Sequence, residues 1–482
     1  MISQIHISAL RSFAFQLRDK NLTLFGAAAF IVSQIALILF LSKGEVALYA
    51  AGFGILVGII QVFIRYPRVW IHTIVLGSFI YLNFDSPGID AIEVIFGIFY
   101  LGGIIIWMVW QGFVRKKKIV RNPGDWCLLV FLGLSIINIF VAILNSVPPL
   151  EWLREWSLLL LLLYYFPIRE YFTSPLSIKN LVHSNIILII LLCIHIVYKY
   201  YIVISQGIVY AYQYRAYGTQ INETLFMSGV IFGVFASIFS KDRRTRIKAV
   251  IFTAASIGAL ILSFGRTYWS ITLFAIVLAL PFLHIKYQAR FAKYILFATT
   301  ILALVVFLTI GPRGGKLFID IVAQRFESTG KGTKDISLRA RIVESEEAFQ
   351  HIKELPLSGN GIRSEIAFYE PILLYTKHNS YMHSGYVGSV YKLGYPLAIL
   401  LFLPFIYFLW QGFLNVRHSG ALPPLIKVLS LGSFYTLMSI LLCNLAHSQF
   451  DQRMGAFGIV FCISYIEFVK NYRMSNKKMS VD

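Results

Sequence analysis

Long apolar runs, separated by short charged or turn-rich breaks, dominate the chain. A membrane-spanning helix needs about 20 mostly apolar residues. Read between the breaks, fourteen stretches qualify: 22–42, 46–64, 69–84, 92–113, 126–145, 152–168, 181–204, 222–240, 247–264, 267–285, 291–310, 384–410, 424–443 and 454–470. One interruption is much longer than the rest. Residues 311–383 carry ten Lys/Arg and nine Asp/Glu, too long for a mere connector. Within it, RARIVESEEAFQHIKEL has apolar residues at helical spacing and predicts a helix. LPLSGNGIRSE follows, with Pro356, Gly359 and Gly361 as breakers. The expected organisation is a leader at 1–21, transmembrane helices 1–11 over 22–310, a cap loop at 311–383, helices 12–14 over 384–470 and a tail at 471–482. The predicted fold class is an all-α polytopic membrane protein with about 14 transmembrane helices and a large helical periplasmic loop.

Composition agrees. Of the 482 residues, 57% are hydrophobic and only 14% charged, against roughly 25% charged in a soluble domain. Collagen, coiled coil, disordered tail and disulfide scaffold are excluded. Cys127, Cys193, Cys443 and Cys462 lie far apart inside apolar runs, so neither a disulfide framework nor a zinc site is indicated.

The formal net charge is +20. In a soluble protein that would point to nucleic acid, but its distribution gives another reading. With the N-terminus inside, the inner segments hold 26 of the 43 Lys/Arg and six of the 23 acids. The whole excess therefore sits on one face, as topology and attraction to anionic lipid require. Nucleic-acid binding gains no support, and both termini are expected to be cytoplasmic.

This orientation gathers polar residues on the outer face: Arg215 in YAYQYRAYGTQIN, Arg266 in SFGRTYWS, and Arg339, Arg341 and Arg363 in the cap loop. His378 and His383 stand in YTKHNSYMHSGY, and Asn444, His447 and Arg453 in the last outer loop. A guanidinium fork matches phosphate oxygens bidentately, and a histidine near pH 7 can accept a hydroxyl proton. Together they suit glycosyl transfer from a lipid-diphosphate sugar. Each also has a plainer reading. An arginine at a membrane edge can snorkel to headgroups, a loop histidine can simply be solvated, and Asn379-Ser380 can form a turn. EWLREW, with Glu151, Arg154 and Glu155, reads as an outer charge cluster or an interfacial anchor, its two tryptophans favouring the anchor. No Walker A, GxSxG, HExxH or GxGxxG motif occurs.

Over about residues 205–410 the chain resembles the O-antigen ligase and polymerase superfamily of integral membrane glycosyltransferases. RAYGTQIN at 215–222, SFGRT at 263–267, RIVESEEAFQHIKELPLSGNG at 341–361 and HSGYVGSVYKLGYPL at 383–397 carry the likeness. In the last stretch Ser384 and Gly394 fall in register measured from His383, while Leu397 replaces a final glycine. His378-Asn379-Ser380-Tyr381 has similar wording, but its register places Ser389 at the glycine position. His383 is therefore preferred, with His378 as the alternative base.

The resemblance implies a GT-C-like enzyme of the bacterial inner membrane with a periplasmic site. It implies an undecaprenyl-diphosphate-linked glycan donor, no cofactor and no metal. Arg215, Arg266 and Arg341 would hold the diphosphate, with Arg339 and Arg363 as second-tier candidates. The acceptor is another lipid-linked repeat unit in a polymerase, the preferred reading, or lipid A core in a ligase. A flippase or chain-length regulator would be a further partner. A secondary transporter is the rival class. It would need mid-span ionisable residues and paired broken helices, whereas Glu155 and Glu223 fall near span ends.

Overall fold

The computed structural model describes residues 65–83, 97–205, 222–297, 336–370 and 375–479, with single positions at 300, 320 and 323. The chain divides into two units, Met1–Ile74 and Val75–Asp482. In the first, residues 67–74 open helix α1 (Pro67–Asn83); everything below concerns the second.

Helices dominate it. They are α2 (Gly103–Val109), α3 (Pro123–Ser135), α4 (Asn138–Leu144), α5 (Pro149–Leu160), α6 (Tyr165–Tyr171), α7 (Pro175–Ser205), α8 (Glu223–Phe239), α9 (Arg243–Leu262) and α10 (Arg266–Ala279). After them come α11 (Ile336–Glu354), strands β1 (Ile366–Glu370) and β2 (Tyr375–Asn379), then α12 (Gly385–Arg417), α13 (Pro424–Cys443) and α14 (Arg453–Met479). Among the described residues six helical stretches are long and apolar enough to cross a membrane: Pro123–Leu144, Pro175–Ile202, Arg243–Leu262, Gly385–Arg417, Pro424–Cys443 and Arg453–Asn476. Shorter apolar helices cover Phe99–Val114, Glu223–Phe239 and Arg266–Phe282. The expected spans at 22–42 and 46–64 lie outside the described residues.

Local chemistry sets the helix starts. Asn122 and Asp125 form a reciprocal capping box at α3, with Pro123 in the first turn. Asp242 caps α9 by accepting from the Thr245 backbone N–H. Ser384 begins α12 and Pro424 begins α13. The 152–168 run is less regular than a single span. It becomes α5, a tight 3-10 turn at Leu161–Tyr164 and then α6. Below it, Asp125 and Arg169 form a buried ion pair.

Helix α14 is almost wholly enclosed, packing on α12, α13, α8, α6 and the 3-10 turn. Helix α8 is buried on nearly every face, against α9 and α13. Beyond Glu223 in its first turn, α8 is apolar all round, as an enclosed helix is; α14 instead carries Glu467, Lys470 and Arg473 in its second half.

The 311–383 segment contains the predicted helix, as α11, but also a structure that the all-α expectation omitted. Strands β1 and β2 form an antiparallel hairpin with Ile366 opposite Asn379 and Ala367 opposite His378. Ile366 and Phe368 point inward with Ala348, Ile352, Met382 and Tyr391. The alternation I-A-F-Y-E is period two, which suits a half-buried strand rather than a helix.

The stretch following α11 is strapped to the bundle through its backbone. Asn360 N–H donates to the Tyr391 carbonyl at 2.8 Å, Gly361 N–H to Lys392 at 2.9 Å, and Tyr395 N–H to Pro356 at 2.9 Å. Gly394 interrupts α12 with φ 72°, ψ 166°, and Gly359 and Gly361 also have positive φ. A Cβ on Gly394 would lie 2.3 Å from the Leu357 carbonyl oxygen, and one on Gly359 would lie 2.4 Å from the Gly394 nitrogen. Only glycine tolerates both the dihedral and the approach. The Pro-x-x-Gly-x-Gly stretch and the glycine eleven residues after His383 are thus two halves of one joint.

Candidate active site

Several helix ends meet where α12 begins. The Gly385 N–H donates to the Asn444 carbonyl at 2.8 Å, joining the start of α12 to the end of α13. Gln449, in the α13–α14 loop, receives a hydrogen bond from Thr224 at the start of α8 (2.6 Å) and donates to the Tyr268 hydroxyl near the start of α10 (2.7 Å). The α9–α10 link closes the same region. Phe264 is left-handed and buried, and a Cβ at Gly265 would lie 2.4 Å from Glu223 Oε1. The glycine before Arg266 therefore makes room for a wholly buried carboxyl group, a role not legible in SFGRT alone.

At the centre is His383. Its backbone N–H donates to Glu344 Oε2 at 2.8 Å, and its Nδ1 lies 3.1 Å from the same oxygen. Glu344 comes from α11 and is 1% exposed, whereas the His383 side chain is 31% exposed. A carboxylate can only accept, so Nδ1 carries the proton and Nε2 presents its lone pair. Nε2 forms no hydrogen bond among the described residues. His378, by contrast, is exposed on β2, opposite Ala367.

Tyr381 bridges His383 to a second histidine. Its ring meets His383 edge-on at 5.6 Å and His447 at 5.9 Å. Its hydroxyl lies 2.8 Å from His447 Nδ1, and Gln452 Nε2 approaches the same nitrogen at 3.0 Å. Burial first, then the neighbouring Asp451 carboxylate, push the Tyr381 hydroxyl well above its ordinary pKa. It stays protonated and shares one hydrogen bond with His447, whose direction follows the His447 tautomer. The His447 ring also packs on Tyr268, at 5.5 Å.

The arginines divide. Arg341 Nη1 donates to the Ala446 carbonyl at 2.9 Å, bringing α11 onto the α13–α14 loop beside Tyr381. Arg266 begins α10, two residues before Tyr268. Arg339 is exposed on α11. Arg363 is held elsewhere, 3.2 Å from Glu151 and 4.0 Å from Glu155. Arg215 lies outside the described residues.

Glu155 also receives a hydrogen bond from Lys392 Nζ at 2.6 Å, and Asp451 accepts from the same ammonium at 3.0 Å. Lys392 is 3% exposed within α12. EWLREW is therefore a charge cluster as well as a tryptophan-bearing helix, its Trp152 and Trp156 stacked at 5.2 Å. A lysine inside an apolar run is costly unless paired. That cost was the sequence signal for a partner, and Glu155 and Asp451 supply it. Glu344 gave a weaker signal, being one of several acids on the helix predicted within the cap loop.

The fold and this site define a multi-pass helical membrane protein whose polar centre is assembled from helix ends and a folded cap. Residues 251–402 match the family model described as O-antigen ligase, which supports the O-antigen ligase/polymerase superfamily for this chain and an enzyme of the glycosyltransferase-like ligase or polymerase kind. The match covers α10, α11, the hairpin, His383 and the Gly394 joint. No curated protein matches the chain.

Proposed function

We propose that the protein is a glycan polymerase of the bacterial inner membrane. It joins repeat units carried on undecaprenyl diphosphate, at the periplasmic face and without a metal. The observation that carries the reading is the His383–Glu344 pair, which leaves Nε2 as a proton acceptor in a centre to which α10 is tied through Tyr268 and α11 through Arg341.

The acceptor hydroxyl attacks the anomeric carbon of the donor while His383 Nε2 takes its proton. The bond from that carbon to the lipid diphosphate breaks, and the electron pair leaves with the diphosphate. Attack from the opposite face inverts configuration. Arg266 and Arg341, with Arg215, hold the diphosphate and stabilise its growing charge. Glu344 fixes the imidazole tautomer and stabilises the imidazolium that forms. The orientation draws support from the cations Lys241, Arg246, Arg290 and Lys427, which gather at the end of the bundle away from His383.

The test is purified protein given lipid-linked repeat units without ATP or added metal, with products sized on a gel. A ladder of longer glycans is expected. Transfer only to lipid A core would make the enzyme a ligase, the reading favoured by the description of the matched family. Solute flux in vesicles without glycan transfer would overturn both.

A further inference from the structure

Helices α8, α9 and α13 each run from the His383 end of the bundle to a second polar place. A 20-residue helix such as α9 is about 30 Å long, so the two places are separate. At the far end a cavity of about 700 Å³ is bordered by Lys241, Arg246, Arg290 and Lys427 and lined by Phe239 and Tyr287. The two rings meet edge-to-face at 5.0 Å. Lys427 Nζ sits 5.4 Å from the Phe239 centroid, and the Arg290 guanidinium 5.8 Å from that of Tyr287. Pro423 and Pro424, at the start of α13, complete the wall and aim the positive end of that helix into the hollow.

Among the described residues no carboxylate lines this cavity. Asp242 is near enough to Arg246 for their charges to interact, but its Oδ2 is engaged with the backbone N–H and hydroxyl of Thr245, at 2.8 and 3.0 Å. Arg246 Nε is buried and lacks a hydrogen-bond partner among the described residues. Among the described residues Lys427 Nζ has one hydrogen-bond partner, the Gly420 carbonyl at 2.9 Å, leaving further protons to donate. Four cations around a hollow repel one another, and a buried guanidinium nitrogen without an acceptor is costly. An anion with several acceptor oxygens resolves both.

We propose that this cavity binds a phosphate group, supplied in the membrane by the headgroup of an anionic phospholipid. The guanidinium of Arg246 and the Lys427 ammonium take the phosphate oxygens, Lys241 and Arg290 close the rim, and the Phe239–Tyr287 pair supports the adjoining glycerol and upper acyl carbons. The site stands apart from glycan transfer and does not depend on it.

Full-length protein in nanodiscs of phosphatidylcholine, alone or doped with phosphatidylglycerol, tests this by native mass spectrometry of retained lipid. Wild type should keep phosphatidylglycerol in preference to phosphatidylcholine. Arg246→Gln and Lys427→Gln should each weaken that preference about tenfold. Lys116→Gln, in the link between α2 and α3, should leave it unchanged. Inorganic phosphate, titrated by calorimetry into the phosphatidylcholine discs, separates the sources. Binding that the same two variants weaken would assign the site to free phosphate, and no binding alongside retained phosphatidylglycerol assigns it to lipid. A wild type that shows neither lipid preference nor phosphate binding overturns the proposal, without needing any variant to fold. So does a wild-type preference that survives in both variants.

Discussion

Histidine 383 was legible from its spacing to Gly394, but its working partner was not. Glu344 lies 39 residues upstream, and only the folding of α11 against the start of α12 brings the two together. The contact separates two contributions to activity. His383→Ala removes the base and should slow glycan transfer by about 10²–10⁴. Glu344→Gln keeps the shape but loses the carboxylate, and should cost roughly one to two decades, the weight of a charge-assisted hydrogen bond. Turnover by the two variants, with donor binding as the control, checks this. Wild-type turnover by Glu344→Gln would leave that residue as packing alone. His378→Ala should change little, since its side chain is exposed on β2. Tyr381 and His447 were visible as residue types. Their contact with each other and with Gln452 depends on the α13–α14 loop folding back over Tyr381, which no spacing in the sequence reveals.

At the scale of elements, apolar runs marked the helices well because a membrane span must be long and continuous. Runs located α9 and α13 within four residues at each end, whereas α7, α12 and α14 extend six, seven and nine residues beyond their runs, and caps and prolines placed several of the starts. Hydropathy could not mark the 3-10 turn within 152–168, since its residues are as apolar as their neighbours. It also missed β1 and β2, each only five residues long. Gly394 was legible as a motif letter, and the structure supplies its reason in the left-handed backbone against Leu357. Gly394→Ala should therefore destabilise the protein by about 1–3 kcal/mol from dihedral strain alone, with the carbonyl overlap adding to that. Thermal unfolding in detergent reads the effect, and Leu397→Ala, at a half-buried position of the same helix, should be milder. An unchanged midpoint for Gly394→Ala would show that the joint yields.

For the whole molecule, one count of Lys and Arg gave an orientation, and the fold provides a way to test it. Leu357 is exposed at the strap, and Lys241 is exposed at the far end of α8. In a Cys127→Ser background, where the remaining described cysteines are buried, Leu357→Cys should react with an impermeant maleimide in intact spheroplasts and Lys241→Cys only after lysis. The reverse pattern would turn the proposed topology over. What composition could not convey was which distant segments share one centre, because that depends on helix ends meeting across more than 200 positions, as Thr224 and Gln449 do. The strap has its own bearing on how such a molecule can be re-engineered. Asn138 Nδ2 donates to the Lys392 carbonyl, its Oδ1 accepts from the Ile362 N–H, and a Cβ on Gly361 would lie 2.5 Å from the Cα of Ala142. Three separate stretches of chain therefore form one interlocking part. A chimaera that borrows another cap must transplant residues 356–363 and 391–395 together with Asn138 and Ala142. A seam cut at the end of α11 alone would join parts whose backbones no longer mesh.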